Sequence, residues 1–300
     1  MGVGPHAYKE MIALELDRVC RDFVTPAGRT YRAIEDISLA VEAGAFVAIV
    51  GPSGCGKSTL LNVAAGLLPP SSGRIRVDGV DLDGLNRRAT YMFQQDALLP
   101  WKTVRDNVAL GLTLAGVARA ESHARADAWL ARVGLTAFTA HYPAQLSGGM
   151  RKRVTMAQNW IIDRGLMLMD EPFSALDVHT RQRMESELLA LWDEATAELA
   201  ENADKNDALR AQRAPRLKRT VLFVTHDLEE AIALADEVVV LSAGPASRIV
   251  ARHPVTLDRP RDLMELRTTT AFVDLYRALW AVLREEVVKS QRNAEASHVS

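Results

Sequence analysis

Apolar and polar residues alternate along Ile12–Val19, with Ile12, Leu14 and Leu16 in phase and Val19 one position out of step. Ile34–Val41 alternates again. Both patterns predict strands with one buried face. Between them Pro26, Ala27 and Gly28 signal a turn within Phe23–Tyr31, and Glu42-Ala43-Gly44 is a second turn. Phe46–Val50 is continuously apolar, which predicts a strand covered on both faces. A glycine-rich loop follows, then a helix from Lys57 to Gly66, a loop at Pro69–Gly73 and a short strand at Arg74–Val77. Thr103–Gly134 turns helical and alanine-rich, and Ser147–Arg164 is a second helical stretch. Leu166–Met169, Val221–Thr225 and Val238–Leu241 have the length of short buried strands. Strands alternating with helices predict an α/β fold with a mainly parallel sheet. The helical block at 97–160 reads as a lobe inserted into that sheet domain.

The composition narrows the class. The chain has 300 residues, 48% of them hydrophobic, and a formal charge of -2. That suits one large globular domain or two lobes with ample core, and excludes a disordered or collagen-like chain. The near-neutral balance supplies no whole-chain basic field for nucleic acid. No run approaches the roughly 18 apolar residues that a membrane helix needs. The first residues, Met1–Met11, lack the apolar core of a secretory signal. Met1-Gly2 opens like a myristoylation site, but His6 stands where Ser or Thr is required. Cys20 and Cys55 make neither a disulfide framework nor a metal spacing, so a reducing cytosol is the default.

The strongest chemical signal is Gly51-Pro52-Ser53-Gly54-Cys55-Gly56-Lys57-Ser58-Thr59, which fits G-x-x-x-x-G-K-S/T between a buried strand and a helix. The glycines let backbone N–H groups turn inward around phosphate oxygens, and the helix start adds partial positive charge. Lys57 is placed to reach the β- and γ-phosphates, and the Ser58 hydroxyl to ligate Mg²⁺. Cys55 reads as a small filler. GTPases, kinases and motor ATPases share such a loop, so alone it establishes only a P-loop nucleotide binder. The apolar run Leu166–Met169 ends in Asp170-Glu171. An unpaired buried charge is costly, so carboxylates at the tip of a buried strand point to function. Asp170 is placed to hold the Mg²⁺ shell, and Glu171 to polarise an attacking water as general base.

Leu146-Ser147-Gly148-Gly149-Met150, followed by Arg151-Lys152-Arg153-Val154, resembles the signature of ABC-type ATPases, usually written LSGGQ. Ser147 and the Gly148 and Gly149 amides open a helix, a second anion-binding end. The resemblance implies that this end faces the γ-phosphate held by the opposite subunit. Other matches follow in the family's order. Gln94, after Tyr91-Met92-Phe93, resembles the glutamine that joins the two lobes and senses Mg²⁺ and water, with Gln95 as a rival. Ser174-Ala175-Leu176-Asp177 resembles the loop that crosses to the partner subunit. His226, in Val224-Thr225-His226-Asp227, resembles the switch histidine at the γ-phosphate. Phe23 resembles the aromatic that stacks on adenine, with Tyr31 as a competitor. Met150 departs from the common glutamine, and Gln158-Asn159-Trp160 from the usual arginine-containing run; the second departure bears on packing.

The resemblance implies a P-loop, RecA-like core of mainly parallel sheet, an inserted α-helical subdomain and an antiparallel β subdomain near the N-terminus. The ATPase domain is expected at 10–250, and a C-terminal helical tail at 251–300. It further implies ATP and Mg²⁺ as cofactors, a homodimer, permease subunits as partners, and a peripheral place on the cytoplasmic face of the inner membrane. Ala97-Leu98-Leu99-Pro100-Trp101-Lys102-Thr103-Val104 looks like the nitrate, sulfonate and taurine importers. There, an apolar segment receives the membrane subunit, a periplasmic solute-binding protein selects the oxyanion, and the ATPase never touches it; packing between lobes is the alternative role for Trp101. A soluble ABC-type ATPase acting on DNA or ribosomes and an exporter cassette are the rival readings. Against the first, Lys57 and Ser147 are separated by no sustained heptads, and the chain carries a single cassette. Residues 193–219 depart from the branch: the stretch is longer than usual, acidic first and basic last, which suits a solvated helix or a partner-docking segment. Phe272, Leu275, Leu279 and Leu283 at helical spacing predict one or two packed helices, fraying from about Ser290.

Overall fold

The computed structural model describes residues 11–26, 28–174, 176–203 and 219–298. Strands β1 (Ile12–Val24) and β2 (Thr30–Glu42) pair antiparallel. The phase slip at Val19 is a bulge: Arg18 adopts φ 50, the register shifts around Val19, and Val19 turns fully inward. Then come β3 (Phe46–Val50), α1 (Lys57–Ala64), β4 (Ser72–Val77), β5 (Val80–Asp81) and β6 (Ala89–Met92). A helical stretch holds α2 (Val104–Leu114), α3 (Arg119–Arg132) and α4 (Gly148–Trp160). The chain closes with β7 (Leu166–Asp170), α5 (Val178–Ala203), β8 (Thr220–Val224), α6 (Leu228–Leu234), β9 (Glu237–Leu241), β10 (Ile249–Pro254), α7 (Leu263–Leu266) and α8 (Thr270–His298).

Two sheets result. One is antiparallel, in the order β2-β1-β4-β5; the other runs β10-β9-β3-β8-β7-β6, parallel except for its β10 edge. Alternation within β3 explains why it reads as continuously apolar. Phe46, Ala48 and Val50 join a core with residues of α5, α6 and α8, while Val47 and Ile49 join a second core with α1 and the antiparallel sheet. Helices α2, α3 and α4 enclose a third core around Val108, Leu130 and Val154. The α/β core, the inserted helical subdomain and the N-terminal antiparallel subdomain are all present.

Three expectations change. Strand β10 spans the boundary expected at residue 250, so the sheet extends into the supposed tail. Helix α8 runs on to His298, beyond the fraying expected at Ser290. Its Phe272, Leu279 and Leu283 are buried in the core of the parallel sheet, which ties it to the domain. Strand β6 was not foreseen, because Ala-Thr-Tyr-Met is short and half polar. Residues 204–218 of the charged segment and Ala175 lie outside the described residues; helix α5 carries the segment's start to Ala203.

Candidate nucleotide site

The loop Gly51–Gly56 leaves the end of β3 and enters α1 at Lys57. Gly56 holds φ 88, and a Cβ there would lie 2.8 Å from Ile34 Cγ2 and 3.2 Å from the Ala33 carbonyl oxygen. Gly51 is equally hemmed in: a Cβ would lie 2.8 Å from Cys55 Sγ. Glycine at both positions keeps the loop backbone bare and tightly wound. Cys55 is fully buried, and burial pushes its thiol above the usual range, as befits a filler. Ser53 and Gly54 are exposed at the loop tip, while Pro52 is buried and Thr59 half-buried. The buried Lys57 donates from Nζ to the Gly51 and Pro52 carbonyls at 2.9 and 3.0 Å, so its ammonium folds over the loop. The first-turn amides of α1 have no intrahelical partners and, with Lys57, make an anion cradle.

Neighbouring strands deliver the other groups. Loops after β3, β8, β7 and β6 open at one edge of the sheet, outside the carboxyl ends of parallel strands, where such folds place ligands. Asp170 ends β7, nearly buried, and Ser58 Oγ donates to its Oδ1 at 3.0 Å. Tyr91 Oη donates to Asn62 Oδ1 at 3.0 Å and lies 3.5 Å from Asp170 Oδ2. Burial raises the Asp170 carboxyl above its usual range; the Ser58 hydrogen bond opposes this and the Glu171 charge adds to it. A cation at this point would relieve that penalty. Among the described residues no group of three or more His, Cys, Asp or Glu is placed to hold a metal. One hydroxyl and one carboxylate, completed by phosphate and water, is a donor set that fits Mg²⁺.

Glu171 adopts φ 44, an uncommon conformation for a side-chain-bearing residue. Its N–H donates to the Val224 carbonyl at 2.9 Å, and the Ser174 N–H and hydroxyl donate to its carbonyl at 3.3 and 3.1 Å. The backbone is thus pinned on both sides. Its carboxylate Oε2 accepts from Gln94 Nε2 at 3.1 Å and lies 3.3 Å from His226 Nδ1. Of the adjacent glutamines, Gln94 is the one that reaches Glu171.

Ser147 caps α4, its Oγ accepting from the Met150 N–H at 3.3 Å. Gly148 and Gly149 form the first turn, and a Cβ on Gly149 would lie 2.8 Å from Thr180 Cγ2. Asp177 Oδ1 accepts from the Thr180 N–H at 3.0 Å, and hydrogen bonding from the Thr180 hydroxyl first, then from that N–H, holds its carboxyl below the usual range. Ser147, Gly149 and Asp177 therefore share a second patch; among the described residues no hydrogen bond joins it to the Lys57 loop. Phe23 sits opposite Tyr31 near the β1–β2 turn, with the Arg21 guanidinium 4.8 Å from its ring centre.

Sequence reasoning gave no role to Tyr91, Asn62 or Lys152. Lys152 is 4% exposed; its Nζ donates to the Gln94 carbonyl at 3.2 Å and approaches Asp96 at 3.9 Å. Burial pushes its ammonium down, while Asp96 and Asp170 pull it up. Its place four and seven residues before the buried Met156 and Asn159 puts it on the inner face of α4, a signal readable from helical spacing.

The sequence profile of the ABC transporter family matches residues 34–174. A taurine import ATP-binding protein of Rhizobium johnstonii is 40% identical, over 90% of this chain and 96% of that one. A nitrate import ATP-binding protein of Synechococcus elongatus is 39% identical, over 83% of each chain. Among solved structures, a dimeric post-hydrolysis state of an ATP-binding cassette bound to ADP and Pi aligns with TM-score 0.65 at 27% identity, covering 82% of this chain and all of that one. The glycine-walled loop and acidic strand end, read with these likenesses, establish that the chain belongs to the ABC transporter family, as one of its ATP-binding cassettes and an ATPase.

Proposed function

We propose that the chain hydrolyses Mg-ATP to energise import of a small oxyanion through separate permease subunits. The observation that carries the chemistry is the meeting of Gln94 and His226 on the Glu171 carboxylate, beside the Ser58–Asp170 pair. Ser58 and Asp170, with Gln94, would hold Mg²⁺, which would supply charge neutralisation to the triphosphate. Lys57 and the α1 amides bind and orient the triphosphate. Glu171 takes the proton of the attacking water as its oxygen bonds to the γ-phosphorus and the bond to the ADP oxygen breaks. Gln94 and His226 hold that carboxylate in place. Catalysis is then mostly positioning and electrostatics.

Ser147 and the Gly148 and Gly149 amides belong to the site of a second copy, as the patch shared with Asp177 suits an intersubunit surface. Phe23 supplies the adenine platform. The taurine and nitrate import names of the relatives support an importer over the exporter and the DNA- or ribosome-directed alternatives. Among the described residues no helix is long and apolar enough to cross a membrane. Trp101 is 71% exposed, which supports a docking role for its segment over packing between lobes. The chain then sits peripherally on the cytoplasmic face of the membrane, and a periplasmic binding protein selects the solute.

The test is uptake of labelled taurine, nitrate and an alkanesulfonate by cells carrying the wild-type chain or Lys57→Ala. Uptake of one of these that depends on Lys57 supports the proposal. Equal uptake of all three with either chain refutes it.

A further inference from the structure

Helix α8 touches the phosphate loop through one intermediary, the segment 242–247 between β9 and β10. The backbone of this segment lies directly on the loop: a Cβ on Gly244 would sit 3.1 Å from the Gly54 carbonyl oxygen and 3.6 Å from Cys55 Cα. The same segment is stitched to β2, where the Ala246 and Ser247 N–H groups donate to the Arg32 and Ala33 carbonyls at 2.8 and 3.2 Å. Ala33 and Ile34 in turn wall Gly56. Segment 242–247 therefore lies against Gly54 and Cys55 directly and against Gly56 through Ala33.

Two residues of α8 hold it there. Glu286 is 4% exposed, and its Oε2 accepts from the Ala243 N–H at 2.8 Å. Lys289 Nζ, one turn on, donates to the other carboxylate oxygen at 2.5 Å. Asn293 Nδ2 donates to the Gly244 carbonyl at 2.8 Å. Seven residues apart, Glu286 and Asn293 share a helix face. They grip consecutive residues of the turn, from a helix whose Phe272 and Leu279 are anchored in the core.

We propose that Glu286 and Asn293 are positioning residues for the nucleotide site: they hold the Ala243-Gly244 turn against Gly54 and Cys55 and so set the affinity of the cradle for ATP. The proposal rests on the reading that Gly51–Thr59 binds the triphosphate. Neither residue touches nucleotide, so they act on binding and leave the chemical step alone. The C-terminal helix is then a lever on ATP affinity.

The experiment is equilibrium binding of a fluorescent ATP analogue to the full chain, with steady-state phosphate release alongside. Asn293→Ala and Glu286→Ala are expected to weaken binding about fivefold each, the effect of losing one hydrogen bond. The KM for ATP rises in step while kcat holds. Glu286→Gln restores affinity, because its amide oxygen still accepts from Ala243. Gly244→Ala, which leaves α8 untouched, weakens binding by pressing on Gly54. Wild-type affinity in Asn293→Ala overturns the proposal, as does a fall in kcat at unchanged KM. Should Glu286→Ala fail to fold, the exposed Asn293 position decides alone. Absence of binding by the wild-type chain refutes the underlying nucleotide reading instead.

Discussion

His226 Nδ1 stands 3.3 Å from Glu171 Oε2, the same oxygen that accepts from Gln94 at 3.1 Å. Two loops thus steer a carboxylate whose own backbone is held in a left-handed conformation. If that carboxylate is the base, Glu171→Gln lowers turnover by about 10²–10⁴-fold. Nucleotide affinity stays within about twofold, because the cradle lies elsewhere. Phosphate release and equilibrium binding measured on one preparation check this, and undiminished turnover removes Glu171 from the role.

Lys57 has its ammonium on two loop carbonyls, which the proposed function has it exchange for phosphate oxygens. Lys57→Ala removes a charge-assisted contact, and affinity for Mg-ATP is expected to fall at least about tenfold. Titration calorimetry reads it directly. Lys57→Arg does not rescue, since a planar fork cannot replace a compact ammonium in a buried niche.

Glu230, on α6, is 3% exposed and receives the Thr225 hydroxyl at 2.6 Å. Burial pushes its carboxyl up to about 7 from the ordinary 4.5; the Thr225 hydrogen bond and the Arg181 charge oppose the shift, and Asp227 and Glu185 add to it. Between those two values the folded state holds a proton that the unfolded chain has released. Stability from this group is therefore full below about pH 4.5 and is lost as pH rises through about 7. The loss is at most on the order of 3 kcal/mol. Glu230→Gln is neutral throughout, so its urea midpoint should fall less than that of the wild type between pH 5 and 8. Parallel profiles for the two proteins contradict this. Asp170 is raised by burial too and leaves some slope in both.

Cys55 is buried with a raised thiol, whereas Cys20 is half-buried and accepts from the Asp36 N–H at 3.3 Å. Thiolate is the reactive form, so a thiol reagent at pH 7.5 should label Cys20 and spare Cys55 until the fold opens. Mass spectrometry of peptides from native and denatured samples distinguishes them. Equal native labelling means that the loop opens on the timescale of the reaction.

Much of the site was legible because its chemistry is local. The phosphate loop needs adjacent glycines, a lysine and a hydroxyl, so Gly51–Thr59 declares itself in nine consecutive letters. Asp170 and Glu171 were visible as charges ending an apolar run. Lys152 went unassigned because its carbonyl partner at Gln94 lies 58 positions away, and Tyr91 because Asp170 lies 79 away. The end of α8 differs for a similar reason: the letters after Ser290 are mostly polar, yet Glu286 and Asn293 are tied to a turn far back in the chain.

The sequence by itself determined most of the elements and the glycine-rich loop, since side-chain period and glycine placement report what each residue's own backbone does. Only the tertiary structure decided that Gln94, Glu171 and His226 meet, and that α8 reaches the phosphate loop through residues 242–247. The physical reason is strand order. The arrangement β3-β8-β7-β6 arises from hydrogen-bond ladders and two shared cores summed over the whole sheet, which no single segment encodes.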